Sequence, residues 1–360
     1  MAVVVCSRRR FLEGTLAALS LPGLPVSLWA DNTPNSQPNP YKLVTNWARL
    51  PAGMPWGTLG DTAEPSNNSG QVVAIDLDRR GDVYLLHRHD PDILKFSPEG
   101  KLLKSWGENV FAMAHGLTVD RFGFIWTADN GVRDGKGCQV LKWDENGRLL
   151  MALGKKGVAA ESPAGESFVG PTGVAVGRNG DVFVTDGHGV AKPGLNHRVL
   201  KFSKDGKFLK AFGRTGSGPG EFHDPHAIAM DSQGRIFVAD RQNKRVQVLS
   251  PDGDHVASWL QFGSVEQVYI TPKDDTIYAT DSNSGQRTPD APYNNPPFKR
   301  GTRVGSARDG SVKYFIPSDE GASGGVALAA DSKGAIYVSD AAATNNTGFE
   351  RMNKKYIKVG

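Results

Sequence analysis

The sequence predicts an all-β protein, a six-bladed β-propeller, and three observations lead to that fold. One phrase recurs six times: an apolar alternation, a polar turn with glycine, a second strand and usually an aspartate. A third strand with a hairpin follows most copies, so each unit is expected to be a four-stranded antiparallel sheet. The chain also holds 43 glycines and 22 prolines, which favours short strands and tight turns over long helices.

The six copies of the phrase lie at 72–87, 116–129, 173–186, 227–240, 267–281 and 325–340. Six such sheets bury their faces when they stack radially, as in a β-propeller. A β-sandwich is the alternative, and the regularity of the repeat disfavours it. The segment 41–51 (YKLVTNWARLP) is expected to close the last blade beside the segment 350–360 (ERMNKKYIKVG).

The first thirty residues have the features of a twin-arginine export signal. Arg8 and Arg9 precede an apolar run, which Pro22 and Pro25 interrupt. That run falls short of the ~20 residues that a spanning helix needs, which disfavours a membrane anchor. We therefore expect a signal peptide over 1–30, cleaved near Ala30, a polar lead-in over 31–40 and a propeller over 41–360. The predicted destination is the periplasm or the exterior.

The charge and cysteine usage exclude some classes of function. The formal net charge is +4, and without residues 1–30 it falls to +2, because three arginines and one glutamate are removed. This balance does not provide the basic surface that nucleic acid requires. One cysteine, Cys138, remains after residue 30, so no internal disulfide is expected.

The repeats resemble NHL-type propellers, and from about Asn46 onward the chain resembles the peptidyl-α-hydroxyglycine α-amidating lyases. The resemblance rests on NWARLPAG, HRHDPDILKFSPEG, AHGLTVDRFG, GPTGVAVGRNGDVFVTDG and, most specifically, PGEFHDPHAIAMDSQGRIFVADRQNKRVQVL. It implies an enzyme that splits a peptidyl-α-hydroxyglycine into a peptide amide and glyoxylate. It also implies a zinc held by three axial histidines, a calcium beside it, and a separate monooxygenase as partner.

Residues at the start of each innermost strand are expected to face the propeller axis at one height. Alignment of the six copies places there Gln71, His115, Thr172, His226, Glu266 and Gly324. Alternate blades are ~120° apart, so blades two, four and six are placed to supply three ligands to an open zinc site. Gly324 stands where the resemblance implies the third histidine, and Gly325 stands where it implies an acidic calcium ligand.

Three arrangements remain open for this axis. Glu266 completes a set of two histidines and one carboxylate, or His223 bends inward, or no metal is bound. We favour the first, which predicts a metal site made of His115, His226 and Glu266.

A second set of equivalent positions, called the column below, lies at the end of the second strand of each blade. Its residues are His87, Asp129, Asp186, Asp240, Asp281 and Asp340. Short carboxylates at such a place are expected to accept backbone N–H bonds. Arg88 and Arg241 follow the column at positions where the lyases keep functional arginines. Either they grip a substrate carboxylate, or each pairs with a neighbouring column aspartate. His188 replaces a tyrosine of the family and is a candidate base.

The fifth copy is followed by a long insertion at 282–305, which is predicted to be a lid. The favoured function is an exported lyase that cleaves the C–N bond of a peptidyl-α-hydroxyglycine or a similar carbinolamide. One alternative is a metal-free periplasmic propeller that binds a small molecule or peptide. Another is an enzyme of different chemistry on the same scaffold.

Overall fold

The structure, a computed structural model, describes residues 35–44, 46–54, 56, 71–162, 165–188, 197–285, 292–318, 325–340 and 353–359. The described residues form six four-stranded antiparallel sheets and contain no helix, which confirms the all-β six-bladed propeller. Accordingly, none of them belongs to a helix able to span a membrane. The predicted signal peptide and its cleavage point near Ala30 lie outside the described residues.

The first three blades follow the order of the chain, and in each blade the first strand lies nearest the axis and is called the inner strand. Blade one contains β2 (Val72–Leu77), β3 (Val83–His87), β4 (Ile93–Phe96) and β5 (Leu102–Trp106). Blade two contains β6 (Ala114–Val119), β7 (Ile125–Arg133), β8 (Lys136–Trp143) and β9 (Leu149–Leu153). Blade three contains β10 (Pro171–Val176), β11 (Val182–Asp186), β12 (Arg198–Phe202) and β13 (Phe208–Phe212).

The remaining blades complete the ring, and the last one uses both ends of the propeller. Blade four contains β14 (Pro225–Met230), β15 (Ile236–Asp240), β16 (Arg245–Leu249) and β17 (His255–Trp259). Blade five contains β18 (Val265–Ile270), β19 (Thr276–Asp281), β20 (Gly301–Ser306) and β21 (Val312–Pro317). Blade six contains β22 (Gly325–Ala330), β23 (Ile336–Asp340), β24 (Asn353–Lys358) and β1 (Tyr41–Val44).

The ring closes as predicted, because β1 pairs antiparallel with β24 from Tyr41–Lys358 to Val44–Lys355. The described part of the lead-in, 35–40, also lies on the propeller. The Asn35 side-chain amide donates to the Pro297 carbonyl (2.9 Å), and the Lys299 backbone N–H donates to Asn35 (2.8 Å). The lead-in is therefore tied to the blade-five insertion.

The apolar core is a ring of interfaces rather than a single centre. Each of six buried clusters draws its side chains from two neighbouring blades. The cluster between blades five and six, for example, contains Tyr41, Tyr278, Leu328 and Tyr356. No blade buries its faces alone, which is why the closing strand matters for the whole ring.

The column at the end of the second strands is structural, as predicted. The Asp129 carboxylate accepts the backbone N–H groups of Ala112 and Met113 (2.8 and 2.7 Å), just before β6. Asp186 does the same for Val169 and Gly170 just before β10 (both 2.8 Å). Each carboxylate thus ties the end of a second strand to the segment that starts the inner strand.

The closing strand gives a stability prediction. Tyr41 is 7% exposed and its ring meets Tyr314 edge-on at 6.1 Å, whereas Leu43 in the same strand is 41% exposed. Tyr41→Ala is expected to lower the free energy of unfolding by about 3 kcal/mol or more, because it empties a core position. Leu43→Ala is expected to change it by less than about 0.5 kcal/mol. Urea unfolding measures both, and equal effects would contradict this account of ring closure.

Blade one gives a prediction about pH. His87 is fully buried, and burial lowers its pKa to about 4. As the pH falls below about 6.5, His87 becomes protonated in the unfolded chain but stays neutral in the native state. The free energy of unfolding therefore decreases until the pH reaches about 4. Between pH 7 and 4.5 we expect His87→Gln to lose about 2–3 kcal/mol less unfolding free energy than the wild type. Urea titrations at the two pH values provide the test, and equal losses in the two proteins would refute it.

Candidate metal centre

The inner strand of every blade carries a β-bulge at its start. The pairing with the second strand skips one residue in each blade: Val73, His115, Thr172, His226, Glu266 and Val326. A bulge re-aims the side chain of the extra residue. The bulged residues Val73, His115, Thr172, His226 and Val326 line a common axial space of about 20 Å³, enough for roughly one water molecule. The axial position is therefore set by the bulge.

This register corrects the sequence alignment in blades one and six. Gly325 pairs with Asp340 and Ala327 with Ser339, so Val326 occupies the place that His115 has in blade two. In these two blades the repeated phrase begins two residues earlier on the inner strand, so the axial positions are Val73 and Val326 rather than the predicted Gln71 and Gly324. Gly324 itself lies outside the described residues. Blade six thus carries a valine at the axial position.

Three imidazoles meet at the axis: His115, His188 and His226. Their ring centroids are 4.7–4.8 Å apart in all three pairs, and their ligand nitrogens lie within 4.8 Å of one another. The structure therefore differs from the predicted set, because His188 rather than Glu266 joins the two bulge histidines. Three imidazoles with space beside them are a donor set that zinc and related divalent metals accept.

Each imidazole is oriented through its Nδ1 atom. His115 Nδ1 lies 3.2 Å from the Thr172 carbonyl, and His226 Nδ1 lies 2.8 Å from the Glu266 carbonyl. His188 Nδ1 lies 2.6 Å from Asp224 Oδ1. When Nδ1–H donates to an acceptor, Nε2 keeps its lone pair for a metal. All three rings are thus held in the tautomer that a metal site requires.

Burial favours the neutral form of the two bulge histidines. It lowers the pKa of His115 well below its ordinary value, and the neighbouring His226 acts in the same direction. Burial likewise lowers the pKa of His226, and the charge of Arg241 adds to the effect. Neutral imidazole is the form that ligates metal, so these rings need not lose a proton when a cation binds.

Two glycines permit this arrangement. A Cβ on Gly116 would lie 2.2 Å from the Thr172 carbonyl oxygen, so only glycine lets blade two approach blade three closely enough for the His115 contact. Gly187 has a φ of 123°, which side chains of L-residues rarely allow. It turns the chain after β11, and His188 follows directly.

Glu266 lies beside the cluster, and its carboxylate is held by other groups. Oε1 accepts from Arg241 Nη1 (2.8 Å) and lies 3.3 Å from His226 Nε2. Oε2 accepts from the Ser282 hydroxyl (3.1 Å) and the Asn283 amide (2.6 Å). These bonds hold the Glu266 carboxylate at the edge of the site. They explain why His188, and not Glu266, forms the cluster with His115 and His226.

Arg241 is paired with carboxylates, and neither predicted arrangement describes it. Its Nε and Nη2 atoms donate to Asp224 Oδ2 (3.0 and 2.6 Å), and Nη1 donates to Glu266. The column aspartate of the same blade, Asp240, is instead paired with Arg245 (2.8 Å). The guanidinium of Arg241 therefore has its charge already balanced.

Arg88 has a different environment. Its Nε donates to the Ala114 carbonyl (3.0 Å), and Nη1 lies 3.4 Å from Gln71 Oε1. Among the described residues it makes no ion pair within 4 Å, and burial lowers its pKa to about 10. Its charge also contributes to the low pKa of His115, so the two groups are near each other. A half-buried guanidinium without a carboxylate partner within 4 Å favours an anion beside it.

Two residues of the site were not found from the sequence. Asp224 precedes β14 and belongs to neither set of equivalent repeat positions, so the repeat pattern does not mark it. Tyr293 comes from the blade-five insertion; its hydroxyl lies 3.0 Å from Asp224 Oδ2, and its ring lies 4.2 Å from the Arg241 guanidinium carbon. The lid predicted at 282–305 thus contributes a side chain to the site, although 286–291 lie outside the described residues.

The remaining sequence candidates do not join the cluster. His223 stacks on His197, with ring centroids 5.5 Å apart, instead of bending to the axis. For calcium, the corrected register moves the implied acidic position from Gly325 to Ala327, whose side chain has no oxygen. The residues here do not fit the implied calcium site, and no role for that ion is derived.

Comparison with known proteins agrees with this architecture. A family described as a 6-bladed beta-propeller matches residues 179–285. Human NHL repeat-containing protein 3 is 34% identical over 208 residues, which are 56% of this chain and 58% of that protein. The peptidyl-alpha-hydroxyglycine alpha-amidating lyase 1 of Drosophila melanogaster is 33% identical over 231 residues, 53% of this chain and 40% of that protein.

The chain thus spans little more than half of the human relative and less than half of the fly relative. Among solved structures, a streptogramin B lyase aligns with a TM-score of 0.52 and 13% identity, covering 88% of this chain and 97% of that one. At that identity the likeness is one of fold. The chain is a six-bladed β-propeller whose homologues include NHL-repeat proteins and peptidyl-α-hydroxyglycine α-amidating lyases.

Proposed function

We propose that this chain is a metal-dependent lyase that cleaves the C–N bond of a peptidyl-α-hydroxyglycine or a similar carbinolamide. The observation that carries the proposal is the cluster of His115, His188 and His226, each oriented through Nδ1. These residues would hold the metal, for which zinc is the candidate. When bound there, zinc supplies Lewis acidity toward a substrate oxygen.

The protein groups around the cluster suit the rest of the reaction. Arg88 is the candidate for binding the substrate carboxylate, because it is half-buried near His115 and makes no ion pair within 4 Å among the described residues. Glu266 is the candidate for the base, because Oε1 lies 3.3 Å from His226 Nε2 and is the nearest carboxylate oxygen to that nitrogen among the described residues. The carbinol O–H gives its proton to the base, the oxygen forms the carbonyl of glyoxylate, and the C–N electron pair remains on the amide nitrogen, which takes up a proton.

His188 has a different role in this scheme from the one predicted for it. As a metal ligand it is not free to act as the base, which leaves that role to Glu266. Arg241, balanced by two carboxylates, is not available to bind a third. The proposed site therefore has one anion-binding arginine instead of two.

Export by the twin-arginine route is also proposed, on the strength of Arg8 and Arg9 and the apolar run that follows. A protein that must acquire a metal before crossing a membrane has reason to fold first. The substrate would come from an enzyme that hydroxylates a C-terminal glycine. The mass of the mature N-terminus in the native host tests the cleavage point near Ala30.

The metal is tested by mass spectrometry on the purified full chain. We expect about one zinc per chain, lost in His115→Ala, His188→Ala and His226→Ala, since each removes one of three ligands. Glu266→Gln is expected to keep the zinc and to lower kcat for glyoxylate release by about 10²–10⁴-fold, because it removes the base. No bound metal in protein from the native host would reject the proposal in favour of a metal-free binding propeller.

The role of Arg88 is tested by steady-state kinetics with a peptidyl-α-hydroxyglycine. Arg88→Ala is expected to lower kcat/KM by about 10–100-fold, since a charge-assisted bond to the carboxylate is lost. Arg80→Ala is the control, because the Arg80 side chain is 61% exposed and pairs with Glu145 at the surface (3.0 Å). Equal kcat/KM for the two variants would exclude Arg88 from substrate binding.

A further inference from the structure

The third imidazole of the cluster does not come from a bulge, so something else must hold it at the axis. His188 follows β11 on the loop side of blade three, while His115 and His226 lie on inner strands. The acceptor at the His188 ring is Asp224 of blade four, whose Oδ1 lies 2.6 Å from Nδ1, and Arg241 Nη2 lies 3.4 Å from the same nitrogen. The position of the His188 imidazole therefore depends on a contact between blades three and four.

The two carboxylate oxygens of Asp224 accept hydrogen bonds from different groups. Oδ2 accepts from Arg241 Nη2 (2.6 Å), Arg241 Nε (3.0 Å) and the Tyr293 hydroxyl (3.0 Å). With Oδ2 saturated by three donors, Oδ1 is left for the imidazole N–H of His188. Asp224 is therefore placed to accept from His188 and from Arg241 at the same time.

The backbone at Asp224 supports a functional reason for this geometry. Its φ is 62°, in the left-handed region that residues other than glycine seldom occupy. Asp224 directly precedes β14, two residues before His226, so this turn sets the positions of two groups of the site together. Strain of this kind persists where the surrounding structure imposes it and is common at functional sites.

Arg241 links Asp224 to the other carboxylate of the site. Through Nη1 it holds Glu266, whose backbone carbonyl in turn accepts from His226 Nδ1. The Tyr293 ring covers the guanidinium at 4.2 Å. One buried cation thus fixes the groups behind two of the three imidazoles.

We propose that Asp224 is the positioning residue that makes His188 the third metal ligand, and that Arg241 is the counter-ion which holds Asp224 and Glu266 in place. The inference rests on the metal-binding part of the proposed function and is independent of the reaction that follows. It assigns the site a ligand set from blades two, three and four, in place of one from alternate blades.

The test measures zinc affinity by competition with a chromophoric chelator, on the full chain. Asp224→Ala is expected to weaken zinc binding by about 10–100-fold, the range found for residues that orient metal-bound histidines. Asp224→Asn keeps an acceptor oxygen and is expected to weaken it less. Arg241→Gln is expected to weaken it as well, because Asp224 and Glu266 lose their counter-ion.

Asp231 provides the matched control. It lies in the same blade, is buried, and makes a comparable ion pair with Arg235 (2.7 Å), while its other hydrogen bonds are to its own turn. Asp231→Asn is expected to leave zinc affinity unchanged. Thermal unfolding of the metal-free proteins shows whether each variant folds, and Asp224→Asn keeps the test valid if Asp224→Ala does not.

The outcomes separate this inference from the proposed function. Wild-type affinity in folded Asp224 variants, or in His188→Ala, would overturn it while leaving metal binding intact. A second outcome is that the wild type binds zinc but releases no glyoxylate, while the Asp224 variants bind zinc more weakly. This would support the role of Asp224 and refute the lyase proposal. A wild type without zinc affinity would overturn both.

Discussion

The site depends on hydrogen bonds that cross from one blade to the next around the axis. Arg88 donates to the Ala114 carbonyl, His115 faces the Thr172 carbonyl, the Thr172 hydroxyl donates to the Pro225 carbonyl, and His226 faces the Glu266 carbonyl. Each bond joins a residue near the axis to the inner strand of the next blade. Buried carbonyls require such donors. The same bonds that satisfy the backbone therefore orient two of the imidazoles.

Within the described part of the chain, the acidic and basic side chains around the three imidazoles are paired with one another, except for Arg88. Asp224 and Glu266 are the acidic residues beside the cluster and Arg241 and Arg88 the basic ones, while burial lowers the pKa of His115 and of His226. A divalent cation would leave a surplus of positive charge near Arg88, where an anion is then favoured. Arg241 is paired with both carboxylates, so in the proposed function recognition of the substrate carboxylate rests with Arg88. In the proposed function, charge balance would thus link a bound metal and an anionic substrate in one site.

Much of the fold could be predicted from the sequence, because it rests on a pattern that repeats. The six copies, the closing strand at Tyr41 and the column that includes Asp129 and Asp186 all follow from alternation, turn residues and periodicity. The axial histidines His115 and His226 were found for the same reason, since equivalent positions in a repeat share one environment.

What could not be predicted lies outside the repeat. The register of blades one and six depends on which residue bulges, and Val73 and Val326 carry no chemical signal that marks them. His188 follows a column residue on a loop, and its direction depends on the φ of Gly187. Tyr293 comes from the blade-five insertion, outside the repeated phrase. In each case a local backbone angle or a loop path determines the contact, and the sequence pattern does not encode it.

The position of the third imidazole has a consequence for how a ligand approaches. Histidines from alternate blades would surround the axis evenly, whereas His115, His188 and His226 come from three consecutive blades. Neighbouring blades are about 60° apart in a six-fold ring, so the three ligands occupy one side. The other side carries Glu266, Val326, Val73 and Arg88, from blades five, six and one. In the proposed function, a substrate on that side would lie near a carboxylate, two valine side chains and an arginine, next to the three histidines that would hold the metal.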